Sequence, residues 1–394
     1  MGDTYRMNLL TGLLVLSPFT AVFVGLYALY LILKRKLTLT LNYWSIGLLI
    51  LFFWSLIVGV FNKSLLSALG SLLLLVYFFA SQFAEKISGN KDVLHKVINL
   101  IVFFTSIAAV IGIIEKIVFA LIGYAEHRIF SLFGNPNMTG CWFVIVLFMT
   151  AYLSLQESEN DNIKWYVISA TLMVIALLLT GSRGSFAALT GTVVLIAILR
   201  GFTFNIKTLF IVLAIFLLIA LLVFAESNII SDYIVAHPFK DSLSPRLKIW
   251  KDAFLMIQEK PLIGWGLLAT IELGEAILPH YNMPTIHVHN MWLTLLTTMG
   301  IIGLSVYLYM KFRLLKDIIL LFNNNRDLSL LLLSINSIVI IQGLVDVSLY
   351  APQIGIVFSI SGAIIAKLAS DTRRRISETL VVRKKYIHWN RYIA

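Results

Sequence analysis

The chain has 394 residues, of which 59% are hydrophobic and only 13% are charged. Soluble domains carry roughly a quarter charged residues, so this composition excludes a soluble protein. The net charge of +11 does not predict a nucleic-acid partner, because the basic residues are scattered between apolar runs instead of forming one stripe. Cys141 is the single cysteine, which excludes an internal disulfide and a cysteine metal cage.

Apolar runs of roughly 16 to 26 residues predict transmembrane helices. The first run, near 9–33, is too long for a signal-peptide core, and we interpret it as a retained span. Pro18 divides this run, so it forms either one span or a short helical hairpin. Further spans are predicted near 42–61, 64–84, 97–122, 137–155, 163–180, 184–199, 206–225, 290–310, 328–345 and 353–369. The prediction is therefore an all-α polytopic integral membrane protein with 11–12 transmembrane helices, forming a single membrane domain over 1–394.

Basic residues predict the orientation of these spans. They concentrate on one alternating set of loops, which the positive-inside rule makes cytoplasmic. The groups lie at 34–36, 86–96, 200–207, 311–326 and 373–391. Glu115 and Lys116, near the end of a predicted span, are expected to form a local ion pair.

The opposite set of loops contains the hydrophilic segment 226–288, which is predicted to be an extracytoplasmic loop. Ser244-Pro245 is a good helix start, so we predict a surface helix near 245–259. Its apolar face comprises Leu247, Trp250, Phe254 and Ile257, and its polar face includes Lys248, Lys251, Asp252 and Glu259. Such a helix is expected to lie on the membrane surface or against the spans.

Two histidines stand where this loop enters the next span. A neutral imidazole at His289 can take a proton near neutral pH, and Asn290 can orient the ring or a ligand. The alternative is an interfacial histidine that caps the helix. His287 shares a side with His289 if the segment is extended, which leaves a metal site as a further alternative.

Two arginines on the same predicted side can bind an anion. Arg183 occurs in TGSRGS, where glycines let backbone N–H groups approach a phosphate, although an ordinary polar turn with a snorkelling arginine is the alternative. Arg246 opens the predicted surface helix, where the helix dipole adds positive potential, but alone it would contact lipid headgroups. Asp346, at the outer end of a span, either orients His289 or forms a structural ion pair.

These residues resemble the O-antigen ligase and polymerase superfamily, membrane enzymes that transfer glycans from a polyprenyl diphosphate carrier. The family pattern is histidine followed by Asn, Ser or Gln, then nine residues, then Gly-x-x-Gly. His289-Asn290, residues 291–299 and Gly300 to Gly303 match it without a gap. The family arginines are similar to Arg183 in TGSRGS and Arg246 in SPRLKIW, and GNPN at 134–137 and GLVDVSLYAP at 343–352 are similar to recurrent family strings. The resemblance covers about residues 130–360.

The resemblance implies a GT-C-like fold and an inverting glycosyltransferase that needs no metal or other cofactor. Arg183 and Arg246 would hold the diphosphate of an undecaprenyl-diphosphate-linked glycan donor, and His289 would take the proton from an acceptor hydroxyl. Asn290, Asp346 and His287 would support this site. The acceptor would be a lipid or a glycan, and the protein would work among membrane lipids at the outer face of the bacterial cytoplasmic (inner) membrane.

Two other functions stay open. A repeat-unit polymerase of the same superfamily would use the same donor chemistry with another carrier-linked unit as acceptor. A polysaccharide-related transporter would instead need ionisable groups near the middle of the membrane.

Overall fold

The computed structural model describes residues 2–157, 160–201, 240–272 and 287–393. Within these ranges the chain is helical and contains no strand, which confirms the predicted all-α class. Seven helical stretches of the described chain, one of them Leu65–Ser88, are long and apolar enough to cross a membrane, so the protein is a polytopic membrane protein. The span predicted near 206–225 and parts of the segment 226–288 lie outside the described residues.

We label the described helices in chain order. They are α1 Gly2–Leu13, α2 Pro18–Leu33, α3 Tyr43–Phe61, α4 Leu65–Gly70, α5 Leu72–Ser81, α6 Ala84–Ser88, α7 Lys91–Leu121, α8 Pro136–Gln156, α9 Asn160–Thr180, α10 Arg183–Leu199, α11 Lys240–Glu259, α12 Ala269–Glu272, α13 Met291–Phe322, α14 Arg326–Gln342 and α15 Pro352–Ile393. The single span predicted near 64–84 consists of three consecutive short helices, α4 to α6, which together form one apolar helical stretch, Leu65–Ser88.

The first apolar run forms a hairpin. Proline cannot continue the preceding helix because it lacks an N–H, whereas at the first turn of a helix it is well tolerated. Ser17 caps α2 by accepting a hydrogen bond from the Phe19 amide, with Pro18 as the first helical residue. Asp3 near the start of α1 lies 2.8 Å from Lys36 just beyond α2, measured from Oδ2 to Nζ. The two helices are therefore antiparallel, as in the hairpin alternative.

The centre of the bundle is formed by α8 and α15. In their most apolar windows, 72% and 83% of the residues are buried inside the protein. Peripheral α3 shows the opposite pattern, because its large apolar side chains Ile46, Ile50, Phe53 and Ile57 are exposed along one helical stripe. In a membrane protein such a stripe faces lipid.

The bundle has two polar ends. At one end Gln156 accepts a hydrogen bond from Lys91 and donates one to Asp327, which also pairs with Arg200. Helices α8, α10 and α14 run from this end to the other. The other end carries the candidate site residues His287, His289, Arg183 and Arg246. In the parts of the chain that the structure describes, the two alternating sets of loops thus lie at opposite ends of the bundle.

The surface helix differs from the prediction in its start and in the burial of Asp252. Helix α11 begins at Lys240, so Ser244-Pro245 is not its first turn and Arg246 lies in the second turn. A proline this close to the N-terminus is tolerated because it removes only one backbone hydrogen bond beyond those that the first turn lacks anyway.

The inward face of α11 consists of Ile249, Asp252, Ala253 and Met256, all buried. Leu247 and Phe254 of the predicted apolar face are 51% and 57% exposed, as in a helix that lies on the membrane surface, whereas Asp252, predicted on the polar face, is 0% exposed. Only the position of Asp252 contradicts the prediction, because apolar side chains at a membrane surface are stable facing lipid and hydrophobicity does not mark the side that packs on the protein.

Candidate active site

Asn290 fixes the start of α13. Its side-chain oxygen accepts hydrogen bonds from the amides of Trp292 and Leu293, and its Nδ2 donates one of 2.9 Å to the Leu344 carbonyl. The helix cap is therefore Asn290 and not His289. The same side chain ties α13 to the segment 343–351, which carries Asp346.

His289 precedes this cap in a strained conformation. Its φ is +52°, a value that residues other than glycine rarely adopt. The amide of Met291, two residues later, donates a 2.7 Å hydrogen bond to the Gly343 carbonyl and so helps to hold the chain in place. Such strain persists when the surrounding structure enforces it, and it concentrates at functional sites.

Asp346 brings the two histidines together. Its carboxylate is 1% exposed, and Oδ1 lies 3.4 Å from Nε2 of His287 and 3.5 Å from Nδ1 of His289. Asn137 donates a 2.7 Å hydrogen bond to Oδ2, and the Val347 amide donates one of 2.8 Å to Oδ1. Burial opposes ionisation of Asp346, but the close contact with Nδ1 of His289 and the charges of both histidines outweigh it and lower its pKa to about 2.

The backbone sets the tautomer of His287. Nδ1 of this ring accepts a 3.1 Å hydrogen bond from the His289 amide, so the ring proton is on Nε2, which faces Asp346. Burial lowers the pKa of His287 to about 4, and the ring is neutral at pH 7. The side chain of His289 is 29% exposed, and with Nδ1 directed at the carboxylate its Nε2 is left as a proton acceptor.

The same three side chains can be tested as a metal site. Their ligand atoms lie within 4.8 Å of one another, and the two measured separations resemble the roughly 3.3 Å between ligands around tetrahedral zinc. Nε2 of His287 would have to lose its proton to bind a metal, which would move that proton to Nδ1, opposite the amide N–H of His289. Two donors would then face each other. The hydrogen bonds therefore fit a proton relay better than a metal.

Arg183 lies at a helix N-terminus. It is the first residue of α10, after Ser182, which caps the helix by accepting a hydrogen bond from the Ser185 amide. Gly181 makes the preceding turn with φ of +58°. The TGSRGS string thus places an exposed guanidinium at the positive end of a helix dipole, where anions bind favourably.

Arg246 and Arg183 share this end of the bundle with a third arginine, Arg128. Burial and then the positive charges of Arg183 and Arg246 lower the pKa of Arg128, and Arg246 also contributes to the lowered pKa of His287. The three guanidinium groups and the histidines are therefore close enough to interact electrostatically.

Arg128 and Asn137 were missed by the sequence reasoning. Arg128 donates hydrogen bonds from Nε to the Thr180 carbonyl, at 2.8 Å, and from Nη2 to Oδ1 of Asn137, at 3.1 Å. Asn137 in turn contacts Asp346, so its amide links the arginines to the histidines. The available signal was the GNPN string, which ends in Asn137 and begins six residues after an arginine on the same predicted side.

Gly300 explains the glycine part of the histidine motif. Helix α13 is interrupted there, with φ of 62° and ψ of −168°, and the segment after α11 docks into the interruption. The Ile301 amide donates to the Pro261 carbonyl, and the amides of Trp265 and Gly266 donate to carbonyls of α13. A Cβ at Gly300 would clash with the backbone of Leu262. The glycine thus fixes α11, with Arg246, against α13, which follows His289.

Comparison with known proteins shows what the chain is similar to. Residues 168–308 match the family model described as O-antigen ligase. The ComP-specific O-oligosaccharyltransferase of Acinetobacter baylyi is 26% identical over 302 residues, 69% of this chain and 52% of that protein. Two putative polysaccharide ligases, from Rickettsia conorii and Rickettsia prowazekii, are 28% and 26% identical over 55% of this chain and 56% of their own length. The chain spans about half the length of the curated relatives it matches.

Proposed function

Because the chain belongs to the O-antigen ligase superfamily, we propose that it is a membrane glycosyltransferase that moves a glycan from undecaprenyl diphosphate to an acceptor hydroxyl. The reaction takes place at the outer face of the bacterial cytoplasmic membrane. The observation that carries the proposal is the pairing of His289 with a buried, ionised Asp346 at the same end of the bundle as Arg183 and Arg246.

The arginines act on the donor. Arg183 and Arg246 bind the diphosphate, because a guanidinium matches phosphate oxygens through paired hydrogen bonds. Negative charge accumulates on the diphosphate as its bond to the sugar breaks. Cations fixed in place before the reaction stabilise that charge most strongly in the transition state.

His289 acts on the acceptor. Its Nε2 takes the hydroxyl proton while the oxygen attacks the anomeric carbon from the face opposite the diphosphate, which inverts the configuration. The bond between sugar and diphosphate breaks, and its electron pair leaves with the carrier. Asp346 holds the ring in the required tautomer and stabilises the imidazolium, as carboxylates do in other acid–base pairs. The scheme requires no metal or other cofactor.

Two observations favour a ligase over its rivals. The similar proteins are named as an oligosaccharyltransferase and polysaccharide ligases, which favours transfer of a completed glycan over repeat-unit polymerisation. His287, His289 and Asp346 lie in segments that connect helices, whereas a transporter would place such groups midway along its spans.

The proposal is tested by reconstituting the full chain with carrier-linked glycan and candidate lipid and glycan acceptors. We expect transfer by the wild type and losses of at least about 100-fold for His289→Ala, Arg183→Ala and Arg246→Ala. Lys63→Gln removes an exposed positive charge from a loop of the same predicted side and serves as the control. Near-normal transfer by His289→Ala would show that this residue is not the base.

A further inference from the structure

The loop that carries Arg128 is held by two side chains from the end of α7. Glu115 accepts hydrogen bonds from the amides of Phe130 and Ser131 and lies 2.6 Å from Nε2 of His127. Lys116 donates to the carbonyls of Ala125 and His127, at 2.6 and 2.7 Å. The local ion pair predicted between Glu115 and Lys116 is therefore wrong, because each side chain instead contacts loop backbone that lacks a helical partner.

This loop positions the guanidinium of Arg128 but, among the residues that the structure describes, leaves some of its N–H donors without a hydrogen bond. A guanidinium has five N–H donors, and those of Arg128 make two hydrogen bonds, to the Thr180 carbonyl and to Asn137. Within the described parts of the chain, no carboxylate lies within ion-pair distance of it. Donors on Nη1 and Nη2 are thus available to a ligand.

The surrounding charges indicate what that ligand is. Arg183 and Arg246 act on Arg128 as like charges, and the carboxylate that opposes them, Asp346, is engaged by the histidines and Asn137. Three guanidinium groups close together repel one another unless an anion lies between them. A diphosphate carries several negative oxygens, each able to accept from a different arginine.

We propose that Arg128 is a third binding residue for the donor's diphosphate, presented by a loop that Glu115 and Lys116 hold in shape. This inference rests on the proposed function and adds a residue to its donor site. The headgroup of a phospholipid offers the same phosphate chemistry, so the test must separate the two sources.

Binding is measured by calorimetry on the full chain in detergent, with farnesyl diphosphate as the probe. We expect Arg128→Gln to raise its Kd at least about tenfold, and Arg128→Lys to raise it less because the charge remains. Affinity should also fall less steeply with salt in Arg128→Gln than in the wild type, because one ionic contact is gone. A merely structural arginine would leave the salt dependence unchanged. Lys63→Gln is the matched control for charge on this face.

Phosphatidylglycerol micelles separate the two sources of phosphate. If the donor diphosphate is the ligand, phosphatidylglycerol competes weakly and Arg128→Gln leaves its binding unchanged. If phosphatidylglycerol displaces farnesyl diphosphate at equal concentration and depends equally on Arg128, the residue is a lipid-headgroup contact and the proposal is overturned.

A second measurement uses the unaltered protein and so does not depend on a variant folding. Phenylglyoxal labels accessible arginines, and peptide mass spectrometry reports Arg128 separately from Arg183 and Arg246. Farnesyl diphosphate should protect Arg128, whereas farnesol should not. Labelling of Arg128 that farnesyl diphosphate leaves unchanged would overturn the proposal.

The outcome is distinguishable from a failure of the proposed function. If the wild type transfers no glycan but binds farnesyl diphosphate through Arg128, the diphosphate site is supported and the transferase assignment is refuted. If transfer depends on His289 and Arg183 while Arg128→Gln binds and transfers like the wild type, only the role of Arg128 falls.

Discussion

Oδ1 of Asp346 lies 3.5 Å from Nδ1 of His289, and the carboxylate is enclosed by the protein while the imidazole is partly exposed. One partner can therefore keep a fixed charge while the other meets a substrate. The relationship depends on two hydrogen bonds, from the Met291 amide to the Gly343 carbonyl and from Nδ2 of Asn290 to the Leu344 carbonyl, which hold the two segments side by side.

Asp346→Asn should reduce glycan transfer by about 10² to 10⁴-fold, because the amide no longer stabilises the imidazolium or its tautomer. Affinity for farnesyl diphosphate should be equal or higher, because a negative charge near the arginines is removed. Initial transfer rates and calorimetry measure the two effects. Asp327→Asn, at the other end of the bundle, is the control, and an unimpaired rate in Asp346→Asn would refute the pairing.

His287 predicts a pH dependence of stability. Its pKa is lowered from 6.5 to about 4 in the folded protein, so between these values the unfolded chain binds more protons than the native one. The contribution of His287 to the free energy of unfolding is complete above pH 6.5 and is lost as the pH falls toward 4. The apparent Tm in detergent should fall less between pH 7 and 4.5 in His287→Gln than in the wild type. Equal slopes in the two proteins would contradict the buried neutral ring.

Apolar length was sufficient to predict most of the described spans, because a bilayer dictates about 20 apolar residues per crossing. It was not sufficient for the orientation of α11, since lipid and protein interior are both apolar and Leu247 is stable in either. Asp252 was predicted on the polar face of this helix but is buried on the face that packs against the protein.

The candidate site was predictable where one short string carries several features, as with His289-Asn290 and Gly300. Arg128 was not, because its position depends on loop contacts with Glu115 and Lys116 and on Asn137 in another helix. Such contacts between segments distant in sequence leave no periodic signal.

Asn137→Asp tests whether Asn137 links the arginines to the pair of His289 and Asp346. The new carboxylate would replace an amide that donates to Oδ2 of Asp346 at 2.7 Å, and two carboxylates at this separation cannot both ionise easily. We expect a protonated pair near neutral pH, a loss of transfer of roughly tenfold or more, and a shifted pH–rate profile.

The control for this variant is Asn135→Asp, which adds the same charge two residues earlier and keeps a residue suited to cap α8. A pH–rate profile of Asn137→Asp that superimposes on that of Asn135→Asp would show that Asn137 does not act on Asp346.

Gly300→Ala should lower both stability and transfer. The position has a positive φ and a Cβ there would clash with the backbone of Leu262, so the segment after α11 would be displaced from the interruption in α13. We expect a loss of roughly 1–3 kcal/mol in the free energy of unfolding and a weaker contribution of Arg246 to diphosphate binding.

Gly201→Ala is the matched control, because its φ of +73° imposes similar backbone strain with no atom in contact. Apparent Tm and the Kd for farnesyl diphosphate measure the two effects. Because both variants carry the strain but only one displaces the docked segment, equal Kd values in the two would show that this docking does not position Arg246.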